Sequence, residues 1–190
     1  MAGDPQSAEN GLQRWIETAS REDSDDLAVF AKSAAGNTEW RRLFDAVFGN
    51  SPFLSQCAVV EPAFWQTILE DGPAAAFESE LAAIDDKALI ADGTDTVMQK
   101  LRRARRRVAL AVGVADISGT WTDEQVTQAL SRFAVSAIGA AVAVLLLDGH
   151  KAGELSLPHP DEPGRDSGLI VLGMGKLSAG ELNYSSDVDL

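Results

Sequence analysis

The chain has 190 residues, 45% of them hydrophobic, which is enough to bury a core in one or two domains and too apolar for disorder. A formal net charge of -13 argues against a general nucleic-acid binder, because affinity for a phosphate backbone rests on clustered lysine and arginine. The one cysteine, Cys57, cannot form an intrachain disulfide, and its apolar surroundings suit a buried thiol in a reducing cytoplasm.

The first twenty residues contain acidic side chains and no long apolar run, so they are not a secretory signal. Residues 1 to about 10 are expected to fray. Leu12, Trp15 and Ile16 then share one helical face, and a second short helix follows Glu22-Asp23-Ser24-Asp25-Asp26, with Ser24 or Asp25 available as its cap. This acidic cluster reads as a solvated helix start rather than a binding tail. Trp40, Leu43, Phe44, Val47 and Phe48 recur at helical spacing and predict a core-facing stripe, with Asn37 capping its start and Gly49 ending it in a left-handed conformation. Ser51-Pro52 and Glu61-Pro62 each read as a cap followed by a first-turn proline, and Asp71-Gly72-Pro73 ends the second of these helices.

Phe77, Leu81 and Ile84 predict a further helix, broken around Asp92-Gly93, and Thr94 is placed to cap the next. That longer helix carries Val97, Leu101, Ala104, Val108, Ala111 and Ala115 as an inward seam. Its other faces hold Lys100, Arg102, Arg103, Arg105, Arg106 and Arg107, a basic patch for a phosphate, RNA or acidic surface, or more simply a solvated face pairing with the acidic excess. Thr122 and Gln125 are spaced as a capping box for the last helix. The uncharged run from Phe133 to Leu147 falls short of the roughly 20 residues needed to span a bilayer, so it reads as the central helix of a bundle, surrounded by neighbours, and no membrane role is expected.

Gly149, Gly153, Pro158, Pro160, Pro163 and Gly164 break regular structure, so residues 151–167 read as a linker between a helical domain, 1–150, and a second domain starting at 168. His150 and His159 have no carboxylate or cysteine framework and read as linker residues rather than metal ligands.

The final segment, GLIVLGMGKLSAGELNYSSDVDL, carries the chemistry. Leu169, Ile170, Val171 and Leu172, bounded by glycines, predict a strand buried on both faces. Gly173, Gly175 and Gly180 supply a turn whose backbone can approach a phosphate closely. In a following strand, Asp187 and Asp189 would point the same way, a carboxylate pair suited to Mg²⁺ and to phosphoryl or nucleotidyl transfer. Ser185 or Ser186 would add a hydroxyl, and Lys176 a compact positive charge. Alone, an Asp-x-Asp is usually an exposed strand end or turn. A P-loop and a dinucleotide fingerprint are weak runners-up, since Lys176 is followed by Leu177 and Ser178 stands where Gly or Ala is needed.

Gly173-Met174-Gly175-Lys176-Leu177, followed by Glu181-Leu182-Asn183-Tyr184-Ser185-Ser186-Asp187-Val188-Asp189-Leu190, resembles the active-site signature of the bifunctional glutamine synthetase adenylyltransferase/adenylyl-removing family. Asn50 to Ser55, Glu70 to Pro73 and the arginine run resemble that family's helical region. The sequence departs from it at Ser178 and Gly180, where glycine and arginine are expected. The resemblance implies a mainly α chain, an antiparallel helical domain followed by the first strands of an incomplete mixed α/β nucleotidyltransferase domain. It implies Asp187 and Asp189 as catalytic metal ligands for Mg²⁺, and Gly173, Gly175, Lys176, Ser185 and Ser186 on the side of ATP, ADP or phosphate. It further implies the adenylyl-removing half, acting by phosphorolysis on glutamine synthetase in the cytoplasm, with a nitrogen-status signalling protein as a second partner. Ending at Leu190, the chain is expected to be truncated and inactive alone. The alternatives are a non-catalytic helical interaction fragment and a nucleotidyltransferase with another substrate.

Overall fold

Proline and short polar side chains set where the helices begin. In a computed structural model describing residues 2–190, α1 (Pro5–Ala19) opens on a first-turn proline, and the Asp4 carboxylate accepts from the N–H groups of Gln6 and Ser7. The Ser7 hydroxyl also donates to Asp4 and holds its carboxyl below the ordinary value. The cap is thus complete above the ordinary carboxylate pKa and is lost as pH falls through the lowered one. Residues 5–10, expected to fray, are therefore helical. Ser24 caps α2 (Asp25–Ala35), Asn37 caps α3 (Thr38–Asn50) and Ser51 caps α4 (Pro52–Val60). Prolines also open α5 (Pro62–Asp71) and α6 (Pro73–Asp85). Gly49, expected to end α3 in a left-handed conformation, stays inside the helix, because Ala2 fills the space a Cβ would take, at 2.7 Å.

A 3₁₀ segment, Lys87–Asp92, leads to α7 (Thr94–Ile117), and then come α8 (Asp123–Lys151) and the short α9 (Gly175–Ala179). Thr94 lies within α7 and donates its hydroxyl to Asp148 at 2.6 Å instead of capping. Contacts divide the chain into two units, Met1–Glu78 with Arg106–Asp123, and Ser79–Arg105 with Glu124–Leu190.

The first unit is built on aromatics. Phe44 lies 5.6 Å from Trp15 and 6.1 Å from both Phe48 and Trp65, centroid to centroid, and all four are buried, as is Cys57. Trp40, on the same stripe of α3, pairs instead with Phe30 at a half-buried edge. α1 approaches α3 closely because residue 11 is glycine, and a Cβ there would stand 2.7 Å from the Phe48 ring. At the start of α5, Glu61 makes no cap. Its carboxylate, 3% exposed, accepts from Arg106 at 2.7 Å and Arg107 at 2.9 Å, and Arg107 also stacks over Phe64. Two of the six basic residues in the run thus hold a buried charge, and Lys100 pairs with Asp92.

The second unit packs Ile84, Leu89, Val97, Ala104, Ala140 and Val144 into one cluster. Two expectations fail here. α8 is not covered all round: Val135 and Leu145 are each 60% exposed, and a Cβ at Gly139 would point into open space. By length and composition alone, α8 is also sufficient to cross a bilayer, because its apolar window extends beyond Phe133–Leu147. Residues 152–167 form turns, with Leu157 buried and Lys87 bonded to Glu162 at 2.7 Å.

The predicted strands are absent among the described residues. Leu169 to Leu172, expected to be buried on both faces, lie exposed and irregular, and the segment holding Asp187 and Asp189 is equally irregular. A strand exists only where its backbone groups meet a ladder. One backbone hydrogen bond, from Met174 N–H just past the first segment to Asp189 C=O in the second, is present, and one bond is not a ladder.

Removing the Glu61 carboxylate leaves two arginines without their shared acceptor. Because Arg106 and Arg107 keep partial access to water, Glu61→Ala should cost about 2–3 kcal/mol, below a fully buried pair. Urea unfolding of the whole chain checks this, and Arg106→Ala should cost less than Glu61→Ala.

Candidate functional site

Two buried leucines hold the C-terminal segment in place. Leu177, on α9, and Leu182, just after it, are 7% and 4% exposed, while most residues around them face solvent. Between them Gly180 ends α9 at φ 71°, where Gly180 N–H reaches Leu177 C=O and Glu181 N–H reaches Lys176 C=O at 2.8 Å. The predicted glycine turn thus contains a short helix. The Ser178 hydroxyl caps back onto Gly175 C=O at 2.9 Å. Both departures from the family signature therefore have local structural roles.

Leu182 N–H donates to the Ser131 hydroxyl of α8 at 3.1 Å, and that bond is buried. Asn183 then organises the next three residues. Its Oδ1 accepts from Ser185 N–H at 3.1 Å and from the Ser186 hydroxyl at 2.8 Å, and its own N–H donates to Ser186 Oγ. Ser185 and Ser186, predicted to face a phosphate, present hydroxyls already engaged on Asn183, with Ser185 Oγ at 3.3 Å.

Asp187 and Asp189 come next in the chain. Neither carboxylate is hydrogen-bonded or ion-paired with any described residue, and both side chains are exposed. Asp189 returns to the glycine turn in two ways. Its C=O accepts from Met174 N–H at 2.9 Å, and its Oδ2 stands 3.2 Å from where a Cβ on Gly175 would be. Gly175 holds φ 56°, a left-handed conformation, so glycine serves both the turn and the approach of this carboxylate. Gly173 is equally confined, with Leu177 3.1 Å from its missing Cβ, and Lys176 is exposed on α9. The structure thus brings together Gly173, Gly175 and Asp189. Lys176 is exposed on the same turn, and Asp187 is exposed two residues before Asp189.

An apolar cavity of about 470 Å³ adjoins the turn, lined by Val135, Ile138, Val142, Val171, Leu177 and Leu190 among others. No three His, Cys, Asp or Glu side chains among the described residues gather into a metal-binding group, so any cation here rests on the carboxylate pair plus oxygens from elsewhere. His150, expected in the linker, lies in the last turn of α8, where its Nδ1 accepts from Leu157 N–H at 3.2 Å, while His159 lies in the turn-rich segment, 3.3 Å from Asp166. Sequence reasoning missed Asn183 and Ser131. An Asn two and three residues before serines is an Asx-turn signal, and a serine within an apolar helix signals a partner to be found.

Comparison with known proteins agrees with the signature. The family model described as glutamate-ammonia ligase adenylyltransferase matches residues 41–190. A bifunctional glutamine synthetase adenylyltransferase/adenylyl-removing enzyme of Bartonella quintana (strain Toulouse) is 35% identical, over 96% of this chain and 19% of its own length. Proteins of the same description from Rhizobium meliloti (strain 1021) and Rhodopseudomonas palustris (strain HaA2) are 40% and 35% identical, over 84% and 98% of this chain and 17% and 18% of theirs. The chain therefore spans about a fifth of the length of these curated relatives. No solved structure matches.

Gly175→Ala and Gly180→Ala impose similar backbone strain, about 1 kcal/mol each, but only the first meets a carboxylate. Amide exchange at Met174, whose N–H is held by Asp189, should quicken by roughly 5-fold or more in Gly175→Ala and much less in Gly180→Ala.

Proposed function

The chain belongs to the glutamate-ammonia ligase adenylyltransferase family, and from that membership we propose that residues 168–190 open its adenylyl-removing nucleotidyltransferase domain, preceded by a helical domain, 1–150, and a linker, 151–167. The relatives are named as bifunctional enzymes that adenylylate glutamine synthetase and remove the adenylyl group. Glutamine synthetase is accordingly the proposed protein substrate, with a nitrogen-status signalling protein as a regulator, in the cytoplasm. The activity belongs to the longer protein.

The observation that carries the reading is the uncommitted carboxylate pair, Asp187 and Asp189, with Asp189 set against the bare backbone of Gly175. Hard carboxylate oxygens without an internal partner fit Mg²⁺, which takes one or two carboxylates and fills its remaining positions with substrate oxygens and water. The chemistry supplied by bound Mg²⁺ is neutralisation of charge on the transferring phosphorus centre. Asp187 and Asp189 would hold it. Gly173 and Gly175 keep side chains out of the path of a phosphate, and Lys176 adds a positive charge beside it. Ser185 and Ser186, locked on Asn183, orient the approach to the acidic pair.

In the proposed reaction, an oxygen of inorganic phosphate attacks the phosphorus of AMP esterified to a glutamine synthetase tyrosine. The bond from that phosphorus to the tyrosine oxygen breaks, the phosphate's proton passes to the tyrosine, and ADP leaves. In the opposite, adenylylating reaction, ATP would be the donor. In the complete sheet, segments 169–172 and 186–190 would pair as strands, which would place both carboxylates on one face. The alternative of a helical interaction fragment docking through Arg102 to Arg107 is weakened because Arg106 and Arg107 are engaged on Glu61.

In a bifunctional enzyme carrying this chain, Asp187→Asn or Asp189→Asn should lower phosphate-dependent release of AMP from adenylylated glutamine synthetase by ~100-fold or more. The melting temperature should stay within about 2 °C, since neither carboxylate supports the fold. Turnover at the unsubstituted rate would overturn the assignment.

A further inference from the structure

Ser131 sits in the first third of α8, 6% exposed, just before the uncharged run that starts at Phe133. Alanine would be the better helix former there. The serine makes two bonds: its Oγ donates to Thr127 C=O at 2.8 Å and accepts from Leu182 N–H at 3.1 Å, across 51 residues of sequence. The first bond fixes the hydroxyl rotor, so the lone pairs face Leu182. The second is the polar half of an anchor whose apolar half is Leu182 itself, 4% exposed.

The residues after Leu182 transmit that anchor. Asn183 comes first, and its side chain and backbone bond Ser185 and Ser186, including Ser186 N–H to Asn183 C=O at 3.1 Å. One residue later the chain reaches Asp187, and Asp189 then closes onto Met174 N–H. Hydrogen bonds thus fix the chain from the interior of α8 to Ser186, and only three residues of backbone separate that point from the carboxylate that faces Gly175. With no sheet ladder present, these bonds and Leu177 are what place the acidic segment.

We propose that Ser131 is a positioning residue for Asp187 and Asp189, acting through Leu182 and the Asn183 turn. The assignment rests on the reading of that pair as a cation site. Ser131 touches neither carboxylate and takes no part in the chemistry itself.

The test compares the 190-residue chain with its Ser131→Ala, Ser131→Thr and Val126→Ala variants, the last removing buried volume from the same helix without touching the Leu182 bond. Amide exchange is read at Leu182, at Met174 as the far end of the series, and at α8 core positions. Mn²⁺ affinity is read from the loss of free-ion spin resonance signal, with Asp187→Asn as background. Ser131→Ala should quicken exchange at both Leu182 and Met174 by ~10-fold and weaken Mn²⁺ to a similar degree, leaving α8 core amides unchanged. Ser131→Thr, which keeps the hydroxyl, should restore both, and Val126→Ala should move neither selectively. Faster exchange at Leu182 with Met174 unmoved, or equal effects of Ser131→Ala and Val126→Ala, would reduce Ser131 to a local structural role and overturn the proposal. If the unsubstituted chain binds Mn²⁺ no better than Asp187→Asn, the cation reading fails by itself, and exchange at Met174 still decides whether Ser131 sets the position of the segment.

Discussion

Burial of Leu177 and Leu182 is the constraint on which the acidic segment depends. Around them the chain from 168 to 190 is largely exposed and lacks a ladder, so two side chains and one buried hydrogen bond to Ser131 take the place that sheet neighbours fill elsewhere. The bonds beyond Leu182 are short-range and mostly exposed, each worth about 1 kcal/mol or less. Their value lies in continuity: a local Asx turn can orient the residues after it only if its own start is fixed. Leu182 supplies that fixed start.

A different solution appears at Glu61. A carboxylate 3% exposed is costly unless paired, and here two guanidinium groups share it while one also covers an aromatic ring. The pairing joins the start of α5 to α7 inside the first unit, and it explains why Glu61, standing where a capping residue is expected, leaves the N-terminus of α5 uncapped by its side chain. Part of the arginine run is therefore neutralised from within. This is the ordinary fate of basic residues in a chain with a net charge of -13.

The helices were legible in the sequence because their signals are local. Ser24, Asn37, Ser51 and the prolines at 52 and 62 act within one turn, and the stripe through Phe44, Val47 and Phe48 needs only the helical period to point at a core. Gly49 misled because its role is set by Ala2, far away in sequence, which packs where a side chain would stand. The even hydrophobicity of α8 misled in a related way. Composition reports that a helix can be covered on all sides, but Val135 and Leu145 show that coverage depends on which neighbours are present. In the candidate site, the glycines and the carboxylate pair were legible as chemistry, while Asn183 and Ser131 were not, because a polar residue's partner is a fact of tertiary structure.

The same distinction bears on the carboxylates. Alternation along a strand would put Asp187 and Asp189 on one face by geometry alone, but no strand forms among the described residues, so alternation cannot be what places Asp189. Its position comes instead from the backbone bond to Met174 and from the absence of a side chain at Gly175, whose positive φ brings the turn under the carboxylate. Asp187 has no comparable contact and follows the Asn183 turn. The two carboxylates are therefore held from opposite ends, Asp189 by the glycine turn and Asp187 by the anchor at Leu182. Sheet formation in a longer chain would add a third restraint to a segment whose ends already meet.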